Sequence, residues 1–349
     1  MMGVEHIHNL SVTPGAVVTA LADPVEESLG WAKTALGAKA DGVKTFADGE
    51  ALVKSGLVDA VIVSSPNYTH RKVLEPLFAA GVPILCEKPL ATTIEDARWV
   101  VEQANKSKAP FWTAMEYRYM PPAAEFISQV HSGRIGRLHM LSIREHRFPF
   151  LVKVKDWNRF SRNTGGTMVE KCCHFFDLMR LITKSEAVRV YCSGAMDVNH
   201  VDERYDGQKP DIIDNSYTTV DFANGVRALL DLSMFADGAE NQEEITAVGD
   251  KARLDVLIPS GDLVYSPRVG FRNPKKVERR NIDVDETALK VGTHHGSTFY
   301  EHQKFNAAVR GAGPVEVTAH DGLMAVAIGT AAEISAREKR VVEMKELGF

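Results

Sequence analysis

At 349 residues, 44% hydrophobic and 25% charged, the chain has the balance of an ordinary globular protein of about two domains, which excludes disorder and collagen-like repeats. Its net charge of −5, from 46 acidic and 41 basic residues without long blocks of either sign, leaves no electrostatic footprint for nucleic acid. No apolar run approaches the roughly 20 residues that span a bilayer, and the opening Met1-Met2-Gly3-Val4-Glu5 lacks the basic and apolar stretches of a secretory signal, so a cytoplasmic protein acting on a small molecule is expected.

The first third alternates short apolar runs with amphipathic stretches, the pattern of parallel strands joined by crossover helices. A helical segment at 5–10 precedes a strand at 17–22, closed by Asp23-Pro24 and a helix. A second strand at 59–65 ends at Pro66-Asn67, and a helix from about Thr69 ends at Gly81. A strand at 83–86, a helix at 94–107 and a strand at 111–114 complete the expected doubly wound sheet. After Met120-Pro121-Pro122 longer strands follow at 138–146, 188–195, 216–222 and 226–235, the last two joined by the Ala223-Asn224-Gly225 hairpin turn. One helix starts near Gly166, and two more at about 298–310 and 320–339 close the chain. The reading is a Rossmann-like domain at 1–118, then an α+β domain at 119–349 with a broad, mostly antiparallel sheet. Cys86, Cys172, Cys173 and Cys192 form no C-x-x-C pair and read as reduced thiols, with no metal site.

A dinucleotide fingerprint reads strand, G-x-G-x-x-G, helix, strand, then an acidic residue about 20 positions on. Gly3 and Asp23 stand 20 apart, so Gly3 fits the third glycine. The first strand and both earlier glycines are then expected upstream of Met1, as with a start codon assigned too far downstream. A sheet without that central strand leaves amides and carbonyls unsatisfied at about 1 to 3 kcal/mol each.

The run Asp59-Ala60-Val61-Ile62-Val63-Ser64-Ser65-Pro66-Asn67-Tyr68-Thr69-His70, followed by Gly81-Val82-Pro83-Ile84-Leu85-Cys86-Glu87-Lys88-Pro89-Leu90, resembles the core signature of the Gfo/Idh/MocA oxidoreductases. The resemblance extends over nearly the whole chain. It implies that Ser65, Pro66, Asn67 and His70 flank the cofactor, and that Glu87 and Lys88 lie by the nicotinamide and ribose. The carboxyl end of a parallel strand is where such sheets bind ligands, and a lysine there can polarise a substrate hydroxyl as hydride leaves the carbon. Lys88 also reads as a surface lysine whose following proline ends a strand. Asp23 suits the ribose hydroxyls and hence NAD, with room for NADP through Lys33, and serves equally as a helix cap.

The second constellation is Gly165-Gly166-Thr167-Met168-Val169-Glu170-Lys171-Cys172-Cys173-His174-Phe175-Phe176-Asp177. On a continuous helix at about 100° per residue, Glu170, Lys171 and Asp177 fall within about 60° of His174. That face reads as a polar cleft or as a solvated surface. The resemblance implies His174 as the acid or base opposite the nicotinamide, with Asp177 beyond it. The family pattern D-x-G-x-H is altered here to Glu170 and Cys172, with Lys171 a competing contact. Asp177, Arg118, Trp157 and Arg159 are the candidate substrate contacts, of which the last three read equally as salt-bridge or packing residues.

The leading expectation is hydride transfer between NAD(P) and a secondary alcohol of a sugar, cyclitol or related polyol. His174 takes the hydroxyl proton and Lys88 orients the oxygen. A homo-oligomer through the second domain's sheet is expected, and no nucleic-acid or membrane partner. A non-catalytic binding protein on the same scaffold and an NAD-dependent glycoside hydrolase are the rival readings.

Overall fold

The computed structural model describes residues 2–349. By internal packing the chain divides into two units, residues 1–120 with 284–323, and residues 121–283 with 324–349. The sequence reading divided the chain once, at 118/119; here the leading segment of the first unit ends at Met120 and residues 284–323 also belong to that unit. Their helices pack on the amino-terminal helix and on the turn at Glu116–Tyr119.

The first unit opens with helix α1 (Met2–Val12), then strand β1 (Ala20–Ala22), α2 (Glu26–Leu36), β2 (Lys44–Phe46) and α3 (Gly49–Lys54). Asp48 caps α3 by accepting from the Ala51 amide. Then come β3 (Val61–Val63), α4 (His70–Ala80), β4 (Ile84–Cys86), α5 (Ile94–Lys106) and β5 (Phe111–Thr113). Gly81, at φ 67°, ends α4 in a left-handed cap, and Thr93 caps α5. All ladders are parallel, but they form two pieces, β1–β2 and β3–β4–β5. Among the described residues no strand joins β1 to β3, which is where a Rossmann sheet carries its first strand. Strands β4 and β5 are buried along their length, with Leu85 and Trp112 fully enclosed.

The second unit holds α6 (Pro121–His131), β6 (Leu138–His146), α7 (Ser161–Thr164), α8 (Thr167–Glu170), α9 (Cys173–Thr183), β7 (Ala187–Ala195), β8 (Asn215–Phe222) and β9 (Arg227–Ser233). It continues through β10 (Glu243–Gly249), β11 (Ala252–Ile258), β12 (Asp262–Pro267) and β13 (Glu278–Asn281). Helices α10 (Glu286–Val291) and α11 (Ser297–Val309) belong to the first unit, and α12 (Ala319–Glu338) and β14 (Val342–Glu343) close the chain. The nine-stranded sheet runs β13-β12-β11-β10-β6-β9-β8-β7-β14, antiparallel except for the β6–β9 pair. Burial alternates along its strands, so one face is packed and one is open. The β8–β9 turn places Gly225 at φ 87°, as the Asn-Gly signal requires.

Two expectations are corrected here. Helix α6 was not expected, because Pro121-Pro122 reads as a break; proline is tolerated in a helix's first turn, where amides have no intrahelical partner. The helix expected to run unbroken from Gly166 is two helices, α8 and α9, separated at Lys171-Cys172. The Cys172 amide reaches back to the Thr167 carbonyl at 3.2 Å, a wider turn than an α-helix makes.

Candidate active site

In the first unit the site is built on strand ends. After β3, the chain turns through Ser65-Pro66-Asn67. His70, 1% exposed, faces the Ser65 carbonyl through Nε2 at 3.1 Å and the Leu90 carbonyl through Nδ1 at 3.3 Å. Burial pushes its pKa down; a neutral ring has one N–H, which Nε2 donates to the nearer Ser65 carbonyl, leaving Nδ1 to accept from the Cys86 thiol at 3.7 Å, so the ring ties the segment after β3 to the end of β4. Asn67 is buried, and its Nδ2 has no hydrogen-bond partner. Asp23 follows β1 and accepts the Val25 amide at 2.8 Å with Oδ1, an Asx turn ahead of α2; the cap position is Val25 and α2 has no side-chain cap, so the helix-capping alternative is not realised. Gly3 lies against Ser64: a Cβ there would sit 3.0 Å from its Oγ.

After β4 come Glu87, buried, and Lys88, half-buried. Glu87 accepts from His6 Nε2 at 2.8 Å and from the Lys88 amide at 3.1 Å. Burial works against its ionisation, but the hydrogen bond and charge of His6, with the charge of Lys88, outweigh it and hold the pKa below the ordinary value. Glu116, in the turn after β5, is pushed up to about 7 by burial and by the Glu87 charge. Glu301 on α11 is raised by burial and by Glu116, and accepts the Trp112 indole N–H at 3.2 Å. None of His6, Glu116 and Glu301 was singled out from the sequence. Only the position of His6, three residues after Gly3 on one helix face, could have hinted at it, because the partners come from distant segments. Arg118 donates to the Glu316 carbonyl at 3.1 Å.

In the second unit the turn Gly165-Gly166, at φ 81° and 91°, launches α8. The Met168 amide donates to Glu333 Oε1 at 2.9 Å, and a Cβ on Gly166 would lie 2.2 Å from that oxygen, so only glycine fits. Gly329 lets α12 approach closely, since a Cβ there would sit 2.6 Å from the Met168 carbonyl. Glu170, Lys171, His174 and Asp177 are all buried. The Lys171 ammonium lies 2.9 Å from Glu145 Oε1, with side-chain exposures of 4% and 0%, so this charge is spent on β6. Glu243 stands opposite Glu145 in the β6–β10 ladder, and burial plus the Glu145 charge push it up to about 8. Arg159 is buried against Glu203 at 3.2 Å, in the salt-bridge role that the sequence left open. Trp157 is half-buried, and its carbonyl accepts from Asn163 at 2.9 Å. Cys86, Cys172, Cys173 and Cys192 form no disulfide and are buried.

The model of the oxidoreductase family's NAD-binding Rossmann fold (Gfo/Idh/MocA) matches residues 1–115, and that of its C-terminal alpha/beta domain matches residues 127–344. The chain belongs to the Gfo/Idh/MocA oxidoreductase family. The family's NAD-binding fold and its named dehydrogenases make this member an NAD-dependent oxidoreductase. The myo-inositol 2-dehydrogenase of Thermotoga maritima is 27% identical over 349 residues, covering 99% of this chain and 96% of that one. The inositol 2-dehydrogenase 2 of Saccharopolyspora erythraea is 31% identical over 239 residues, 68% of this chain and 64% of its own length. Among solved structures, a probable dehydrogenase from Thermotoga maritima superposes with a TM-score of 0.78 at 25% identity, covering 98% of this chain and 96% of the other. Levoglucosan dehydrogenase, in complex with NADH and levoglucosan, superposes at 0.83 and 18% identity, covering 98% and 97%, a likeness of fold.

The residues of this family member fit NAD. Asn67 offers a buried donor with no protein partner at the carboxyl end of β3, and Asp23 offers a carboxylate after β1 with one oxygen not used by the Val25 amide.

Proposed function

We propose that this Gfo/Idh/MocA member oxidises a secondary alcohol of a cyclitol or sugar, with Asp23 on the cofactor's ribose and Asn67, Ser65 and Pro66 along the cofactor. The observation that carries the substrate class is the near-full-length likeness to a myo-inositol 2-dehydrogenase. NAD, when bound, accepts the hydride. In this reading Lys88 orients and polarises the carbinol oxygen, and His174 takes its proton. Glu170 and Asp177 stay close to His174 in sequence and burial, and serve to orient it. Arg118 and Trp157 contribute to hydroxyl recognition. Lys171, bound to Glu145, supports the segment rather than the substrate.

The open sheet face carries Tyr191, Tyr217 and Met140, 41%, 63% and 57% exposed, and we assign it to a second copy of this chain in a cytoplasmic homo-oligomer. Among the described residues no helix is long and apolar enough to cross a membrane.

The test incubates the chain with NAD and, separately, myo-inositol, scyllo-inositol, glucose and levoglucosan, and follows NADH by absorbance. A polyol-dependent rise is expected. Cofactor binding without turnover on any of these or on other CH–OH substrates would replace the enzyme reading by a binding one. Light scattering checks the assembly, and a monomer at micromolar concentration would remove the assignment of the sheet face.

A further inference from the structure

We propose that His6, backed by His302, is a positioning residue for Lys88: it keeps the neighbouring Glu87 a carboxylate and aims an N–H at it. This deepens the reading above and rests on Lys88 facing the substrate. Three side chains from distant segments meet here: His6 from α1, Glu87 from the end of β4 and His302 from α11. They are 3%, 4% and 2% exposed. His6 Nε2 lies 2.8 Å from Glu87 Oε1 and His6 Nδ1 lies 2.9 Å from His302 Nε2, with the two rings stacked at 5.0 Å and 20°.

The chain of bonds constrains the tautomers. If His6 is an imidazolium, it donates Nε2–H to Glu87 and Nδ1–H to His302. If it is neutral beside an ionised Glu87, Nε2 must carry the hydrogen, and His302 donates to Nδ1. Either way His6 presents Nε2–H to Glu87, with His302 occupying its other nitrogen, because the bond made by one ring nitrogen decides what the other carries. Burial and the His6 charge both push the His302 pKa down, so His302 stays neutral.

What opposes this arrangement makes it informative. Glu116 and Glu301 face the same space and are both raised by burial and by neighbouring carboxylates. His294 and Lys88 partly relieve Glu116, and Arg118 partly relieves Glu301. Of the three buried acids, only the one bound to an imidazole is lowered. Its second oxygen accepts the Lys88 amide, so the charge that His6 stabilises sits on the residue before the lysine and grips that lysine's own backbone. Cys86 and His70, the other titratable groups that feel Glu87, are themselves fully enclosed and neutral.

The experiment labels the full chain with carboxyl-¹³C glutamate, assigns Glu87 by Glu87→Gln, and titrates the native protein, His6→Gln and His302→Gln. Alongside it, kcat is measured against pH with the polyol found above. Expected is a Glu87 carboxylate that persists below its ordinary range in the native chain and protonates at higher pH in His6→Gln, with a smaller shift in His302→Gln. The acid limb of kcat should move up by about one unit, a loss of about tenfold on that limb, and added imidazole should restore it in His6→Ala. An unchanged Glu87 titration in folded His6→Gln would overturn the proposal. So would a loss of kcat equal at every pH, which is the mark of a merely structural role. A native chain that turns over no polyol while the carboxyl shift persists would fail the Lys88 reading, and with it the role assigned to His6, leaving only the His6–Glu87 coupling.

Discussion

Glu145 and Glu243 face each other in register on β6 and β10, both on the packed side of the sheet, and the Lys171 ammonium lies 2.9 Å from Glu145. Two carboxylates in so little water cannot both ionise cheaply, and Glu243 is the one kept protonated near neutrality. Its pKa rises from 4.5 to about 8 on folding. The folded state therefore binds the extra proton, and the stability so gained is fully present below pH 4.5 and lost as pH climbs toward 8. The melting temperature of the native chain should fall across that window, by about 2 to 4 °C for each kcal/mol lost. Glu243→Gln, which keeps the shape without the titration, should flatten the slope in a thermal-melt series.

Lys171→Met should be costly, because it leaves the buried Glu145 with only the more distant Arg147, 3.6 Å from Oε1, as a counter-charge. Removing one partner of such a pair typically costs about 3 to 5 kcal/mol. The double variant Lys171→Met with Glu145→Gln should recover a large part of that in urea unfolding. A double variant no better than the single would mean that the ammonium itself holds α8 to α9.

Gly166→Ala combines a positive φ with a Cβ 2.2 Å from Glu333 Oε1. Backbone strain of this kind costs about 1 to 3 kcal/mol, and the clash adds to it. Adding Glu333→Ala should relieve the clash and leave the strain, so the double variant should melt above Gly166→Ala but below the native chain.

Lys88→Met and His174→Asn separate chemistry from folding. Loss of a positioned acid–base group lowers kcat by about 10²- to 10⁴-fold. Lys88 is half-buried, so Lys88→Met should melt close to the native temperature while losing turnover. Full activity in His174→Asn would reassign the proton acceptor.

Strands β1, β3, β4 and β5 and helices α2, α4 and α5 were legible because each is a local pattern, whereas β2 and α3 were not named. An apolar run closed by Pro66-Asn67 or by Glu87-Lys88-Pro89 needs no distant partner to be recognised. The short β2, with only Phe46 half-buried, has no such run to show. Of the residues proposed for function, Lys88 in the first unit and Glu170, His174 and Asp177 in the second were named from two contiguous motifs. Sequence reasoning missed His6, Glu116, Glu145, Glu243 and Glu301, whose surroundings are made by segments far apart in the chain. The same limit explains Lys171. A single helical wheel put it on the face of His174, but the widened turn at Cys172 and a glutamate on β6 decide where its charge goes.

The divided parallel sheet has a consequence for isotope exchange. Successive amides of a strand point to opposite sides, and the Val61 amide is already committed to the Pro83 carbonyl. That turns the Ile62 amide toward the flank where, among the described residues, no strand pairs with β3. In deuterated water the two neighbours should therefore part company, Val61 retaining its proton long after Ile62 has surrendered it.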